Sequence, residues 1–336
     1  MNRKIALVLS MVLSVSLLAG CGPNIGKSNE AVKTGLAVIS STAKSKDAGE
    51  KEGLAQADST VVAVTVDKEG KITKCVIDAA QTKISFSNAG KITTPLNTVF
   101  KTKQELGTEY GMAKASSIKK EWNEQANALA DYVVGKTAAE VKGIAVNEKG
   151  APTATDLTSS VTIAIGGYVA AIEKAVANAK DLGAKAGDKL GLGISTTIGK
   201  SKDAAEKDGV AQAYSTYTAT TFGTGGKITS SIIDSSQSNV SFSKEGKITS
   251  DPKAVLKTKK ELGADYGMAK VSPIKKEWNE QADAFAKYIT GKTVAEVKGI
   301  AVNEKGSPTA KELTSSVTIS IGDHIAAIEK ASVNAE

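Results

Sequence analysis

The apolar positions of this chain change their spacing several times, and each change predicts an element. Residues 5–18 are apolar apart from small serines, behind the basic start Asn2-Arg3-Lys4. Thr60-Val61-Val62-Ala63-Val64-Thr65-Val66 is β-branched and ends at Asp67-Lys68-Glu69-Gly70, after which Lys71 to Asp78 resumes as a strand. That pattern predicts a hairpin. Lys83 to Ser87 and Lys91 to Thr93 predict a second pair around Asn88-Ala89-Gly90. From Ser116 the period becomes helical. Ser116 is placed to cap a helix running to about Val134 and stopped by Gly135. Thr137-Ala138-Ala139-Glu140 has the capping-box spacing. Val161, Ile165, Val169, Ile172 and Val176 lie on one stripe of a final helix. Strands followed by helices predict an α+β fold, a small antiparallel sheet with helices after it.

The whole pattern occurs twice. Lys119-Lys120-Glu121-Trp122-Asn123-Glu124-Gln125-Ala126 returns from Lys275 to Ala282, and Val141 to Gly150 returns unchanged from Val297 to Gly306. Leu157 to Ile163 returns from Leu313 to Ile319, always at an offset of 156 residues. The period is one globular domain in length, far beyond a solenoid repeat. The organisation expected is a leader at 1–20, a polar tether at 21–34, a first domain at 35–177, a linker at 178–190 and a second domain at 191–336. Where the two copies agree, a shared requirement is implied. Cys75 becomes Ser231, so its thiol is not such a requirement.

Composition narrows the chemistry. Leu18-Ala19-Gly20-Cys21 closes the apolar run as a lipobox does, which predicts a signal peptide and a lipid on Cys21. The run is too short for a membrane span. This places the mature chain outside the cytoplasmic membrane, anchored by acyl chains. The formal charge is +7 and falls to +5 once Arg3 and Lys4 leave with the leader. So mild a charge argues against nucleic acid as a partner. Cys75 then stands alone, so the mature chain can form neither an intrachain disulfide nor a cysteine metal cluster. The lone histidine, His324, has Tyr168 at its place in the first copy and reads as an ordinary helix residue. Gly199-Lys200-Ser201 lacks the leading glycine of a phosphate-binding loop.

The repeated hydroxyls of Asp156-Leu157-Thr158-Ser159-Ser160-Val161-Thr162 read as a polar loop entering the last helix. Caps are the bland reading. A helix start is also a favourable place for a phosphate. The stretch resembles the flavinylation motif of FMN-binding domains. With the lipobox, the tandem copies and the Tyr110-Gly111-Met112 and Lys-Glu-Trp-Asn-Glu-Gln segments, the chain is similar to the PplA-like flavinylated lipoproteins of Gram-positive extracellular electron transfer. The resemblance implies FMN esterified to Thr162 and Thr318 by an FAD-dependent flavin transferase. Asp156, Ser159 and Ser160 accompany the first site, and Glu312, Ser315 and Ser316 the second. Serine stands at 160 and 316 where glycine is common, valine at 161 and 317 where alanine is common, and Glu312 replaces the aspartate. Met112, Trp122, Met268 and Trp278 are candidate contacts to the flavin rings.

The implied function is a lipid-anchored carrier on the extracellular face of the membrane. It takes electrons from a membrane quinone-linked dehydrogenase system and passes them to extracellular acceptors such as ferric iron or free flavins. It is an electron-transfer flavoprotein rather than a dedicated substrate-converting enzyme. Two other readings stand beside it: a non-redox lipoprotein that captures a solute or wall polymer, and a pheromone precursor that releases residues 14–20.

Overall fold

The computed structural model describes residues 28–336. The expected leader, Cys21 and the expected tether as far as residue 27 lie outside the described residues.

Each repeat lays down three antiparallel strands and then helices. In the first, the strands are β1 (Ala31–Ser41), β2 (Gly53–Val66) and β3 (Ile72–Phe86). The helices are α1 (Lys103–Leu106), α2 (Trp122–Val133), α3 (Ala138–Lys142), α4 (Thr155–Thr158) and α5 (Gly166–Ala177). After β4 (Lys180–Lys185), the second repeat builds β5 (Lys189–Thr197), β6 (Gly209–Phe222) and β7 (Ile228–Phe242). It continues with α6 (Lys259–Leu262), α7 (Trp278–Ile289), α8 (Val294–Lys298), α9 (Lys311–Thr314) and α10 (Gly322–Val333). The sheets run β3-β2-β1-β4 and β5-β6-β7. The fold is mixed α and β with two antiparallel sheets.

The Val61-Val62-Ala63-Val64 run has no polar alternation because β2 is covered on both faces. All four residues are inaccessible to solvent. Successive side chains point to opposite sides. Val62 and Val64 join Trp122, Leu129 and Ile172 in the helix-side core. Val61 and Ala63 meet Leu190, Leu192, Tyr217 and Ala219 of the other sheet. The sheets therefore pack face to face, and the helices of each repeat lie outside. In the second repeat Thr218 and Thr220 replace Val62 and Val64, and Ser231 replaces Cys75. Their buried hydroxyls satisfy one another, Thr218 to Thr220 at 2.8 Å and Thr220 to Ser231 at 2.9 Å. Three changes that each bury a polar group are tolerated because they occur together.

The repeats meet around a pseudo-twofold axis. Phe86 and Phe242 stack with centroids 4.4 Å apart. The Ala48 N–H donates to Gly246 O at 2.8 Å, and the Ala204 N–H to Gly90 O at the same distance. Asp203 accepts from the Ile92 N–H, and Asp47 from the Ile248 N–H. Lys174 pairs with Glu261 at 2.5 Å and Lys330 with Glu105 at 2.7 Å. Each contact is the other shifted by one repeat, as in an isologous interface. At Gly191 and Gly193 an added Cβ would lie 1.9 and 1.8 Å from the carbonyl oxygens of Ala331 and Ala327, so these glycines let α10 sit directly on β5.

Several expectations are corrected. Residues 31–34 of the expected tether open β1, and residues 180–185 of the expected linker form β4, which pairs with β1. The second hairpin shrinks to one bridge between Phe86 and Ile92, because Lys83–Phe86 already continues β3 along β2. The Ser116 helix starts only at Trp122, since Lys119 adopts φ 56° and Glu121 provides the cap. The last helix starts at Gly166, beyond Val161 and Ile165, which are still buried. The capping box at Thr137 forms as expected, with the Glu140 N–H on the Thr137 hydroxyl.

Because Phe86 belongs to a core shared by both repeats, Phe86→Ala is expected to cost about 3–5 kcal/mol. Urea unfolding followed by far-UV circular dichroism should show one cooperative transition shifted as a whole. A variant in which only half the signal moves would contradict the shared core.

Candidate functional site

Two of the segments repeated without change, Lys-Lys-Glu-Trp-Asn-Glu-Gln-Ala and Leu-Thr-Ser-Ser-Val-Thr-Ile, meet at one buried side chain. Gln125, on the inner face of α2, is wholly inaccessible. Its Oε1 accepts from the Thr162 N–H at 2.9 Å, the Thr162 hydroxyl at 3.2 Å and the Ile163 N–H at 3.3 Å. Its Nε2 donates to Lys120 O at 3.1 Å and Ser116 Oγ at 3.3 Å and lies 3.8 Å from the Met112 sulfur. Gln281 repeats this around Thr318, accepting from its N–H at 2.8 Å and its hydroxyl at 3.1 Å. It donates to Lys276 O and Ser272 Oγ and contacts the Met268 sulfur. A buried amide is costly unless both ends are paired, and here both are. The loop that supplies the pairing carries Lys119 and Lys275 at φ 56° and 55°. That left-handed geometry costs roughly 1–3 kcal/mol in a residue with a side chain, and both repeats retain it. Glu121 and Glu277 tie the same loop down by accepting the N–H of Met112 and Met268 at 2.7 and 2.8 Å.

Thr162 and Thr318 are half-buried. Leu157 and Val161, and Leu313 and Val317, anchor their segment in the cores on either side of a single helical turn. The Ser160 and Ser316 hydroxyls turn back to Leu157 O and Leu313 O, both at 3.2 Å. Asp156, Ser159, Glu312 and Ser315 are exposed. The hydroxyl cluster does not open the last helix, which begins four residues after Thr162, so the expected helix-dipole phosphate site is absent there.

Trp122 and Trp278 are 1% and 2% exposed, in the helix-side cores. Trp122 donates its indole N–H to the Tyr168 hydroxyl at 2.9 Å. Trp278 meets His324 edge-on, with centroids 5.7 Å apart. Neither indole has a face free for a flavin, so their expected stacking role is corrected to core packing. The Met112 and Met268 sulfurs are instead set against the glutamine amides.

Three pairs of residues were not legible as site groups in the sequence. Gln125 and Gln281 are the first, although the unbroken repeat around them was a signal. Asp78 and Asp234 are the second. They are buried, and Oδ1 of each accepts two backbone N–H groups, those of Ala79 and Gln104 in one and of Ser235 and Lys260 in the other. Burial pushes Asp78 up to about 7 and Asp234 up to about 6, against the lowering hydrogen bonds of Thr102 and Thr258. Lys103 and Lys259 are the third. Lys259 lies between the rings of Tyr214, Tyr266 and Trp278, 4.6 to 4.9 Å from each centroid, and donates to the Tyr214 hydroxyl at 3.0 Å. Burial, and then Lys200, pull it down to about 8. Burial, and then Lys259, hold His324 down at about 3, and its Nδ1 has no hydrogen-bond partner among the described residues. His324 is thus a core residue of its helix. Burial, helped by Asp131, raises the Cys75 thiol, which leaves it inert.

These shifts set the pH dependence of stability. The unfolded aspartates titrate near 4. Between about pH 4 and 7 the folded chain holds more protons on Asp78 and Asp234, so both lower stability as pH rises. His324 acts oppositely, because the unfolded chain holds its proton between about pH 3 and 6.5. The double variant Asp78→Asn, Asp234→Asn is therefore expected to gain stability more steeply from pH 4 to 7 than the parent. Urea midpoints across that range measure this, and parallel profiles would refute it.

No protein-family model matches this sequence, and no curated protein or solved structure is significantly similar to it.

Proposed function

We propose that the chain is a lipid-anchored extracellular electron carrier with FMN esterified to Thr162 and Thr318, each domain of the tandem holding one. The observation that supports this most is the buried glutamine whose Oε1 accepts from both the hydroxyl and the N–H of the threonine, in both repeats.

The threonines suit an ester-linked phosphate. Each hydroxyl is half-buried and donates to a neutral amide oxygen rather than to a carboxylate that would repel a phosphate. Once esterified, the oxygen has no proton to donate. Gln125 still holds the Thr162 and Ile163 N–H groups, so the segment keeps its position. Bound FMN supplies one- and two-electron redox chemistry. Trp122 and Trp278 are packed in the cores, so a bound flavin ring would have to find its contacts elsewhere than on the two indoles. A covalent link retains the cofactor on a protein that works outside the cell. In this reading a flavin transferase loads the protein, a quinone-linked dehydrogenase system reduces it, and Cys21 anchors it.

Intact mass of the protein from its native host tests the reading. Two additions of FMN less water are expected, on the peptides carrying Thr162 and Thr318. Thr162→Ala should remove one and leave the other. Unmodified protein from a host with active flavin transferase would overturn the proposal.

A further inference from the structure

A cavity of about 910 Å³ opens between the repeats, bounded by β1, α5 and β4 on one side and by β7, α6 and α7 on the other. Its size is that of a small-molecule site. Its floor is apolar, made by Leu36, Val38, Ala177, Ile232 and Ala286, with Leu182 at the mouth and 38% exposed.

Four lysines and three acids line it. Two of the lysines are neutralised where they stand, Lys174 by Glu261 and Lys260 by Asp283. The third acid, Asp234, spends Oδ1 on two backbone N–H groups. Lys180 and Lys287 are exposed, and neither has a carboxylate within ion-pair distance among the described residues.

The pseudo-twofold axis provides an internal comparison. One repeat away, the apolar floor is kept, with Leu192, Ile194, Val76 and Ala130 at the corresponding positions. The charges are not kept. Asp131 stands opposite Lys287, Glu336 opposite Lys180, Gln104 opposite Lys260 and Asn127 opposite Asp283. The shared floor follows from packing α5 on β1 and α10 on β5. The free ammonium groups do not follow from the fold, because its other half is built with carboxylates at the same places.

We propose that this cavity binds a small amphipathic anion, an apolar ring-sized body carrying one acidic group, with the body on the Leu36–Ile232–Ala286 floor and the acid between Lys180 and Lys287. Apolar burial supplies most of the affinity and the two lysines select the sign of charge. The inference is independent of the flavin reading, since it uses neither Thr162 nor Thr318.

Isothermal titration with 8-anilinonaphthalene-1-sulfonate tests it, that probe being an apolar aromatic body with one sulfonate. A single saturable site is expected, weakened by salt. The surface double variant K180E/K287E should weaken binding about tenfold or more, and D131N, at the position that corresponds to Lys287 in the other repeat, should leave it unchanged. N-phenyl-1-naphthylamine, the same body without the sulfonate, should bind more weakly. Absence of saturable binding, binding unchanged in K180E/K287E, or equal affinity for the uncharged probe would each overturn the proposal.

Discussion

Everything in this structure depends on giving β2 and β6 two buried faces. A three-stranded sheet backed by helices on one side still exposes the other side to water. Val61, Ala63, Leu192 and Tyr217 would then be wet. Each repeat solves this for the other. Burying a Val or Leu side chain is worth about 1.5–3 kcal/mol, and the face-to-face contact buries Leu36, Val38, Val61, Leu190, Leu192 and Ile194 at once. The reciprocal hydrogen bonds around Gly90 and Gly246 and the Phe86–Phe242 stack fix the angle at which the faces meet. The tandem copy is thus structural as well as a duplication of a site.

Within each repeat, the outer helices do a second task. The face of α2 that buries Trp122, Ala126 and Leu129 also buries Gln125. A glutamine there would be a fault in an apolar core unless all its hydrogen-bonding capacity were used. It is used to join two loops distant in sequence, the strained turn at Lys119 and the segment carrying Thr162. Packing and positioning are the same interaction, which explains why this helix start and the threonine segment vary so little between repeats.

Elsewhere the repeats have diverged in coupled sets. Val62, Val64 and Cys75 became Thr218, Thr220 and Ser231, whose hydroxyls pair with one another. Asp58 stands where the second repeat has Tyr214, and Tyr168 where it has His324; Lys103 and Lys259 each face a Tyr and a Trp ring, and Lys259 gains the Tyr214 ring as a third. Burial of a neutral histidine beside a buried ammonium is tolerated because His324 stays deprotonated. The residues lining the cavity and their counterparts one repeat away differ in charge and not in apolar character. Divergence has therefore changed polar groups while leaving the backbone contacts intact.

The sequence by itself determined the duplication, the strand-then-helix order, the hairpin at Asp67–Gly70 and the capping box at Thr137, because these rest on local periodicity and turn chemistry. Thr162 and Thr318 were picked out of the repeated hydroxyl cluster only through its resemblance to a flavinylation motif. The sequence did not reveal that residues 31–34 and 180–185 pair as strands, since Ala31–Thr34 is too short a stretch to carry a readable alternation and Lys180–Lys185 forms the largely exposed edge strand β4. The delayed start of α2 was hidden because Lys119 is a good helix residue held out of the helix by tertiary contacts. Gln125 as the partner of Thr162, the burial of Trp122 and Trp278, and the groove between the repeats were decided only by the tertiary structure. Each depends on which residues become neighbours across 37 or more positions of chain, and no local spacing encodes that.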